Sequence, residues 1–109
     1  MNDHINSDEP LLWDVALAAL LREEALKTGH GVALTDILRL AETYAIRFDD
    51  LMATLFSLVL NQEWRYVNEQ GALQAITPHE VESLHKNGRI HLDDLTNYRG
   101  FWIPHKVPK

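Results

Sequence analysis

The segment from residue 37 to residue 56 restricts the fold of this chain more than any other part of the sequence. Apolar residues recur there with the period of a helix on both sides of an interruption at residues 44–46. Thr35-Asp36 favours the start of a helix before the interruption, because such side chains cap the first free backbone amides. The segment predicts two helices, at about 35–43 and 48–62, joined by a tight turn. Their expected core positions are Leu34, Ile37, Leu38, Ala41, Leu51, Leu55, Leu58 and Val59.

A longer helix is predicted upstream, from about residue 9 to residue 28. Asp8-Glu9-Pro10 is typical of a first helical turn, and Gly29 lies where the helix would stop. Residues 15–21 are apolar on all sides of the helix. We therefore expect this part to be largely buried, either as the central helix of the fold or in a dimer interface.

The chain changes character after residue 62. Residues 64–67 and 73–76 alternate apolar and polar side chains like two strands, and residues 68–71 suit a hairpin loop between them. Thr77-Pro78-His79-Glu80 then forms a capping box, which predicts a helix that ends at Asn87-Gly88. Further on, the apolar residues 101–103 either form a third strand or cover the sheet.

The residues around the predicted turn resemble the helix-turn-helix pattern. Ala41 is a small residue inside the first helix of the pair, and Ala45 stands at the turn. Ile46 and Leu51 are the apolar residues that would close the small core between the two helices. The sequence departs from the pattern in two places, because Ala45 replaces the usual glycine and Thr54 replaces a further apolar residue.

The order of predicted elements over residues 10–77 resembles the winged helix-turn-helix fold. This resemblance implies an α+β domain with three N-terminal helices, a β-hairpin and a further C-terminal helix. A length of 109 residues suits a single domain. We expect a flexible N-terminus at residues 1–8, the winged-helix-like domain at residues 9–104 and a basic tail at residues 105–109.

The outward face of the third predicted helix would be the DNA-reading surface of such a fold. Recognition helices read bases with polar and basic side chains, whereas the face predicted here carries carboxylate and apolar groups. Exposed apolar side chains in this position are typical of a protein interface. Alternatively, the apolar residues of this face belong to the core. The expected interaction surface consists of Arg47, Phe48, Asp49, Met52 and Phe56.

The net charge of −6 disfavours nucleic-acid binding, because neutralisation of phosphates supplies much of that affinity. The last eleven residues nevertheless hold three basic residues and no acid. The alternative function is therefore a DNA-binding transcriptional regulator that uses the helix-turn-helix at residues 37–56. Its nucleic-acid contacts would be Arg65, Arg89, Arg99 and Lys106, provided that they converge on one face.

Signals for catalysis and metal binding are weak. The chain has no cysteine, which excludes disulfides, thiolate metal sites and cysteine nucleophiles. It contains no phosphate-binding loop, dinucleotide fingerprint or nucleophile elbow. His79, Glu82 and His85 could form a weak metal or hydrolytic site, but their expected role is a solvated helix face. We predict a protein that is not an enzyme, with no metal and no cofactor.

Residues 97–102 interleave aromatic and basic side chains. This mixture suits stacking on single-stranded bases, and it equally suits an aromatic cluster packed on the predicted hairpin beside Trp64 and Tyr66. Packing is the expected role of these aromatic residues.

The sequence thus favours an interaction or assembly module of winged-helix type with a protein partner. A homodimer through the first helix is the partner arrangement that its apolar surface indicates. The longest apolar run, residues 15–21, is much shorter than the roughly 20 residues that a bilayer requires, so we expect a cytoplasmic protein without membrane association.

Overall fold

The fold belongs to the α+β class, as predicted. The computed structural model describes the backbone of residues 3–105 and the side chains of residues 13–105. Three helices come first, followed by a strand, a fourth helix, a small hairpin and a last strand. These elements are α1 (Asp3–Thr28), α2 (Leu34–Tyr44), α3 (Phe48–Leu60), β1 (Trp64–Val67), α4 (Pro78–Leu84), β2 (His85–Lys86), β3 (Arg89–Ile90), a 3₁₀ turn (Leu92–Asp94) and β4 (Phe101–Pro104).

Helix α1 begins six residues before its predicted start and ends at Thr28, as predicted. Gly29 follows with a φ of 79°, a conformation that glycine adopts without strain and that commonly ends a helix. Only one side of α1 faces the core, through Leu17 and Leu21. The expectation that residues 15–21 are largely buried is therefore wrong for the outer side of the helix, where Val15 is 62% exposed.

Helices α2 and α3 meet at a three-residue turn close to the predicted position. Ala45 has a φ of 54° and ends α2 in the left-handed conformation. The Ile46 amide donates to the Ala41 carbonyl oxygen at 2.9 Å, which satisfies one of the last carbonyl groups of the helix. The turn thus reverses the chain without a glycine, and it places Leu51 in the core between the two helices.

The start and the buried side of α2 differ in detail from the prediction. The helix begins at Leu34, and the Asp36 carboxylate accepts a hydrogen bond from the Ala33 amide at 2.9 Å. Asp36 therefore caps the first turn from inside the helix. Ile37 and Leu40 are the buried residues, whereas Leu38 is exposed.

Helix α3 is the central helix of the fold. It packs against α1, α2, β1 and β3. Because it has neighbours on several sides, its buried arc is wider than the predicted stripe. The buried residues of α3 are Leu51, Met52, Leu55, Phe56 and Leu58.

The main sheet pairs two strands that lie far apart in the sequence. Strand β1 runs antiparallel to β4, with Tyr66 opposite Trp102. The predicted hairpin partner, residues 73–76, is not a strand, and its backbone pairs with β1 through a single bridge between Val67 and Leu73. The Leu73 side chain remains 65% exposed, whereas Ile76 at the end of this segment joins the core. Residues 101–103, by contrast, form the strand that one of the two predictions for them proposed.

A capping box starts α4, as predicted. The Glu80 amide donates to Thr77 Oγ1 at 3.1 Å, and the Thr77 amide donates to Glu80 Oε1 at 3.0 Å. The helix ends at Leu84, earlier than predicted. Asn87 and Gly88 do not end the helix but form the two-residue turn of the β2–β3 hairpin, with φ values of 56° and 77°. Asn-Gly is favoured in such turns because both residues tolerate positive φ.

An aromatic cluster fills the centre of the core. The Trp102 ring lies 4.8 Å from Tyr66 and 5.9 Å from Phe56, measured between centroids. The Tyr98 ring lies 5.3 Å from Phe56 in an edge-to-face arrangement. The aromatic residues near the C-terminus therefore pack against the core, which confirms the expected role over base stacking for Tyr98 and Trp102.

Among the helices of the described part of the chain, none combines the length and the apolar character that crossing a bilayer requires.

Candidate interaction surfaces

The interaction surface predicted on α3 is only partly present. Met52 and Phe56 are both 0% exposed, so a partner cannot reach them in this fold. They face inward because α3 lies between α1, α2 and the sheet, and Phe56 packs against Tyr98 and Trp102. The alternative interpretation of these two side chains, as core residues, is correct.

Arg47, Phe48 and Asp49 form the accessible remainder of that surface. Phe48 packs against the core and is half-buried. Arg47 Nη2 lies 3.3 Å from Asp49 Oδ2, and Arg47 Nε donates to Asp49 Oδ1 at 3.4 Å. Burial alone would raise the pKa of Asp49, but the hydrogen bond and the charge of Arg47 outweigh it and hold this pKa below its ordinary value. The first turn of α3 is thus an internally paired surface.

The basic residues proposed for nucleic-acid contact lie on separate elements. Arg65 is exposed on β1, Arg89 is exposed on β3, and Arg99 is exposed in the loop before β4. Lys106 lies outside the described residues. The buried side chains of α3, which include Met52 and Phe56, cannot contact the edge of a base.

The side chains considered for a metal site lie on α4 and at the first residue of β2. His79, Glu82 and His85 are all exposed, and His85 Nδ1 lies 3.0 Å from the carbonyl oxygen of Val81 on α4. Within residues 13–105, no three side chains of the types that bind metals lie together. The arrangement agrees with a solvated helix face.

An ion pair fixes the orientation of α1 against α2. Glu24 on α1 is buried, and its Oε2 lies 2.5 Å from Nη2 of Arg39 on α2. The same guanidinium nitrogen lies 3.0 Å from Asp36 Oδ1. The hydrogen bonds to Glu24 and Asp36 raise the pKa of Arg39. Because Glu24 points inward, the opposite side of α1 points to solvent.

That opposite side carries an apolar stripe, which we call the outer stripe of α1. It consists of Val15, Ala19 and Leu26, spaced by four and seven residues so that they lie on one side of the helix. Val15 is 62% exposed and Leu26 is 77% exposed. Arg22 lies on the same side of the helix, between Ala19 and Leu26, and Glu23 flanks the stripe. The sequence indicates the apolar character of this helix, but which side remains uncovered depends on its packing.

A second accessible apolar feature is the groove between α1 and α3, with a volume of about 460 Å³. Leu17 and Ala18 line it from α1, and Ala53 and Leu58 line it from α3. Trp13 stands at the groove and is 47% exposed. No sequence pattern predicts this groove, because it arises from the packing of two helices and not from a motif.

The edge of this groove is acidic. Asp14, Asp50 and Glu63 line it, and its described lining residues include neither lysine nor arginine. Within the described side chains, these three carboxylates form no ion pair, since the acids in ion pairs are Glu24, Asp36, Asp49 and Asp94. Val15 lines the groove and also belongs to the outer stripe, so the two features share this residue.

A polar contact on the other side of the fold links α4 to the loop before β4. The Tyr98 hydroxyl donates a hydrogen bond to Glu80 Oε2, and Glu80 Oε1 accepts from the Thr77 amide. Burial raises the pKa of Tyr98 strongly, and the hydrogen bond to Glu80 raises it further. Beside it, the Tyr66 hydroxyl accepts a hydrogen bond from the Gly100 amide at 2.8 Å.

Comparisons with protein-family models, with curated proteins and with solved structures give no match to this chain.

Proposed function

We propose that the protein is a non-enzymatic module for protein interaction and assembly, built on a winged-helix-like fold, which forms a homodimer through the outer stripe of α1. The observation that carries this proposal is the exposure of Val15 and Leu26 on the same side of a long helix. Isolated exposed apolar side chains are common on protein surfaces. A stripe of aligned apolar side chains is less common, because it leaves an exposed helix face that another helix could cover.

The geometry of the stripe suits a two-fold arrangement. In an antiparallel pair of α1 helices, Val15 of one chain would face Leu26 of the other, and the small side chain of Ala19 would leave room for the Arg22 side chain opposite it. The same surface then serves both chains, as a two-fold interface requires.

DNA binding is less well supported than protein interaction. Met52 and Phe56 are buried, Asp49 is paired with Arg47, and the exposed arginines lie on different elements. A gel-shift series with duplex DNA at low and moderate salt provides the test, since binding through phosphates weakens steeply as salt increases.

Sedimentation equilibrium tests the homodimer. We expect the wild-type chain to sediment as a dimer at high micromolar concentration and Leu26→Glu to sediment as a monomer. Leu73→Glu is the matched control, because Leu73 is 65% exposed but lies far from α1 in the sequence, between β1 and α4. A wild-type chain that remains monomeric at every concentration would contradict the proposed dimer.

A further inference from the structure

We infer that the groove between α1 and α3 binds a basic amphipathic helix of a partner protein. This inference extends the proposed role in protein interaction to a second face, and it does not require dimerisation through the outer stripe of α1. It depends on the shape of the groove, on its apolar lining and on the sign of the charge around it.

The shape of the groove favours a helical segment. Asp50, Thr54, Ser57 and Asn61 follow one another along α3 at spacings of three and four residues, so they lie along one side of that helix. Eleven residues separate Asp50 from Asn61, which corresponds to about 16 Å of helix. A partner segment of about three helical turns would lie along this length.

The lining supplies apolar contact for one face of such a helix. Ala18 and Ala53 leave space because they are small and only half-buried, and the buried side chains of Leu17 and Leu58 lie at the floor of the groove. Trp13 stands half-exposed beside this surface, where an incoming side chain could cover it. Binding of an amphipathic helix in an apolar groove through residues spaced by three, four and seven positions is a common mode of peptide recognition.

The charge around the groove selects the partner. Asp14, Asp50 and Glu63 make no ion pair with a described side chain, and none of the described lysines and arginines lines the groove. A partner helix with Lys or Arg flanking its apolar stripe would meet complementary charge, whereas an acidic helix or a nucleic acid would be repelled. The partner is therefore a basic amphipathic segment, consistent with the net charge of −6 of the whole chain.

Tryptophan fluorescence gives a direct measurement of binding at the groove. Trp64 and Trp102 are buried in the core, whereas Trp13 is accessible, so a bound helix should shift the emission of Trp13 to shorter wavelength. The probe is a synthetic helical peptide of about eleven residues with a leucine stripe flanked by lysines. A second peptide carries glutamate at every lysine position. We expect the basic peptide to bind at least about tenfold more tightly than the acidic one, a difference of about 1.4 kcal/mol.

Two serine variants separate groove binding from general attraction to an acidic protein. Ser57 is exposed and lines the groove, so Ser57→Arg places bulk and positive charge inside it. Ser83 is exposed on α4 and serves as the matched control. We expect Ser57→Arg to weaken binding of the basic peptide at least about tenfold and Ser83→Arg to leave it unchanged. Circular dichroism of both variants verifies that they are folded.

The same titration is carried out on Leu26→Glu, so that failure of the dimer and failure of the groove give different results. Retained peptide binding by a monomeric Leu26→Glu chain would support the groove independently of dimerisation. Equal binding of the acidic peptide, unchanged binding by Ser57→Arg, or a Trp13 shift caused by duplex DNA and not by the peptide would each overturn the inference.

Discussion

Tyr98 and Glu80 are joined by a hydrogen bond in which the phenol donates to the carboxylate oxygen that the capping box does not use. One side chain therefore serves both the first turn of α4 and the loop that leads into β4. Eighteen residues separate the two partners in the chain. Their contact ties the segment after β1 to the last strand of the main sheet.

Removal of the Glu80 side chain should destabilise the protein more than the loss of a helix cap alone, because the bond to Tyr98 is lost as well. Glu80→Ala removes the capping box and leaves the buried Tyr98 hydroxyl without its acceptor. We expect the free energy of unfolding to fall by about 2–3 kcal/mol, measured by urea denaturation. Glu82→Ala, an exposed position on the same helix, should change it by less than about 0.5 kcal/mol. Equal effects of the two substitutions would contradict the double role of Glu80.

The stability of the protein should decrease in alkaline solution because of Tyr98. Burial and then Glu80 raise the pKa of this phenol, so the folded state holds the proton more tightly than the unfolded state does. The resulting stabilisation is complete below the ordinary tyrosine pKa of about 10 and is lost as the pH rises above it. Tyr98→Phe should therefore show a smaller loss of unfolding free energy between about pH 8 and about pH 11 than the wild type. The same loss in both proteins would exclude Tyr98 as its source.

Gly100 should tolerate no side chain. A Cβ atom at this position would lie 1.9 Å from the Val67 carbonyl oxygen, where β4 begins its pairing with β1. Gly100→Ala should lower the free energy of unfolding by about 3 kcal/mol or more, since backbone must move to relieve the clash. Gly71→Ala is the comparison, because a Cβ atom there has open space and meets only the strain of a positive φ, about 1–2 kcal/mol. Thermal unfolding followed by circular dichroism would reveal the order of the two losses.

Ala45 should be improved by glycine. Its φ of 54° strains a residue that has a Cβ atom, and glycine relieves this strain at a smaller entropic cost. Ala45→Gly should raise the free energy of unfolding by up to about 1 kcal/mol. Ala41→Gly, four residues earlier and inside α2, should lower it by about 1 kcal/mol. Chemical denaturation of both variants measures the sign of each change in the free energy of unfolding. Destabilisation by Ala45→Gly would contradict the backbone strain assigned to Ala45.

The parts of the fold that depend on neighbouring residues were predictable from the sequence. Thr77 and Glu80 identify the start of α4 because a capping box needs only four consecutive residues. The end of α1 before Gly29 is local in the same sense. Asn87-Gly88 is also a local signal, but Asn-Gly favours a hairpin turn more strongly than a helix end, and a hairpin turn is what it forms.

The parts that depend on distant contacts were not predictable. Nothing near Trp64 indicates that β1 pairs with a strand beginning at Phe101, because the choice between two candidate partners depends on the core that Trp102 fills. The inward orientation of Met52 and Phe56 also follows from the number of elements around α3. The groove beside Trp13 is a product of the same packing, so no sequence pattern marks it.

The pairing of β1 with β4 also determines the order in which the chain can fold. Trp64 lies opposite Pro104, forty residues later, and Val32 forms a bridge with Trp102 across a still longer stretch. The helices can form early from local contacts, whereas closing loops of this length carries an entropic cost that slows their formation. During synthesis the aromatic core stays open until residue 102 has left the ribosome. Until then, the apolar side of α3 that Trp102 covers has only the helices to shield it from other nascent chains.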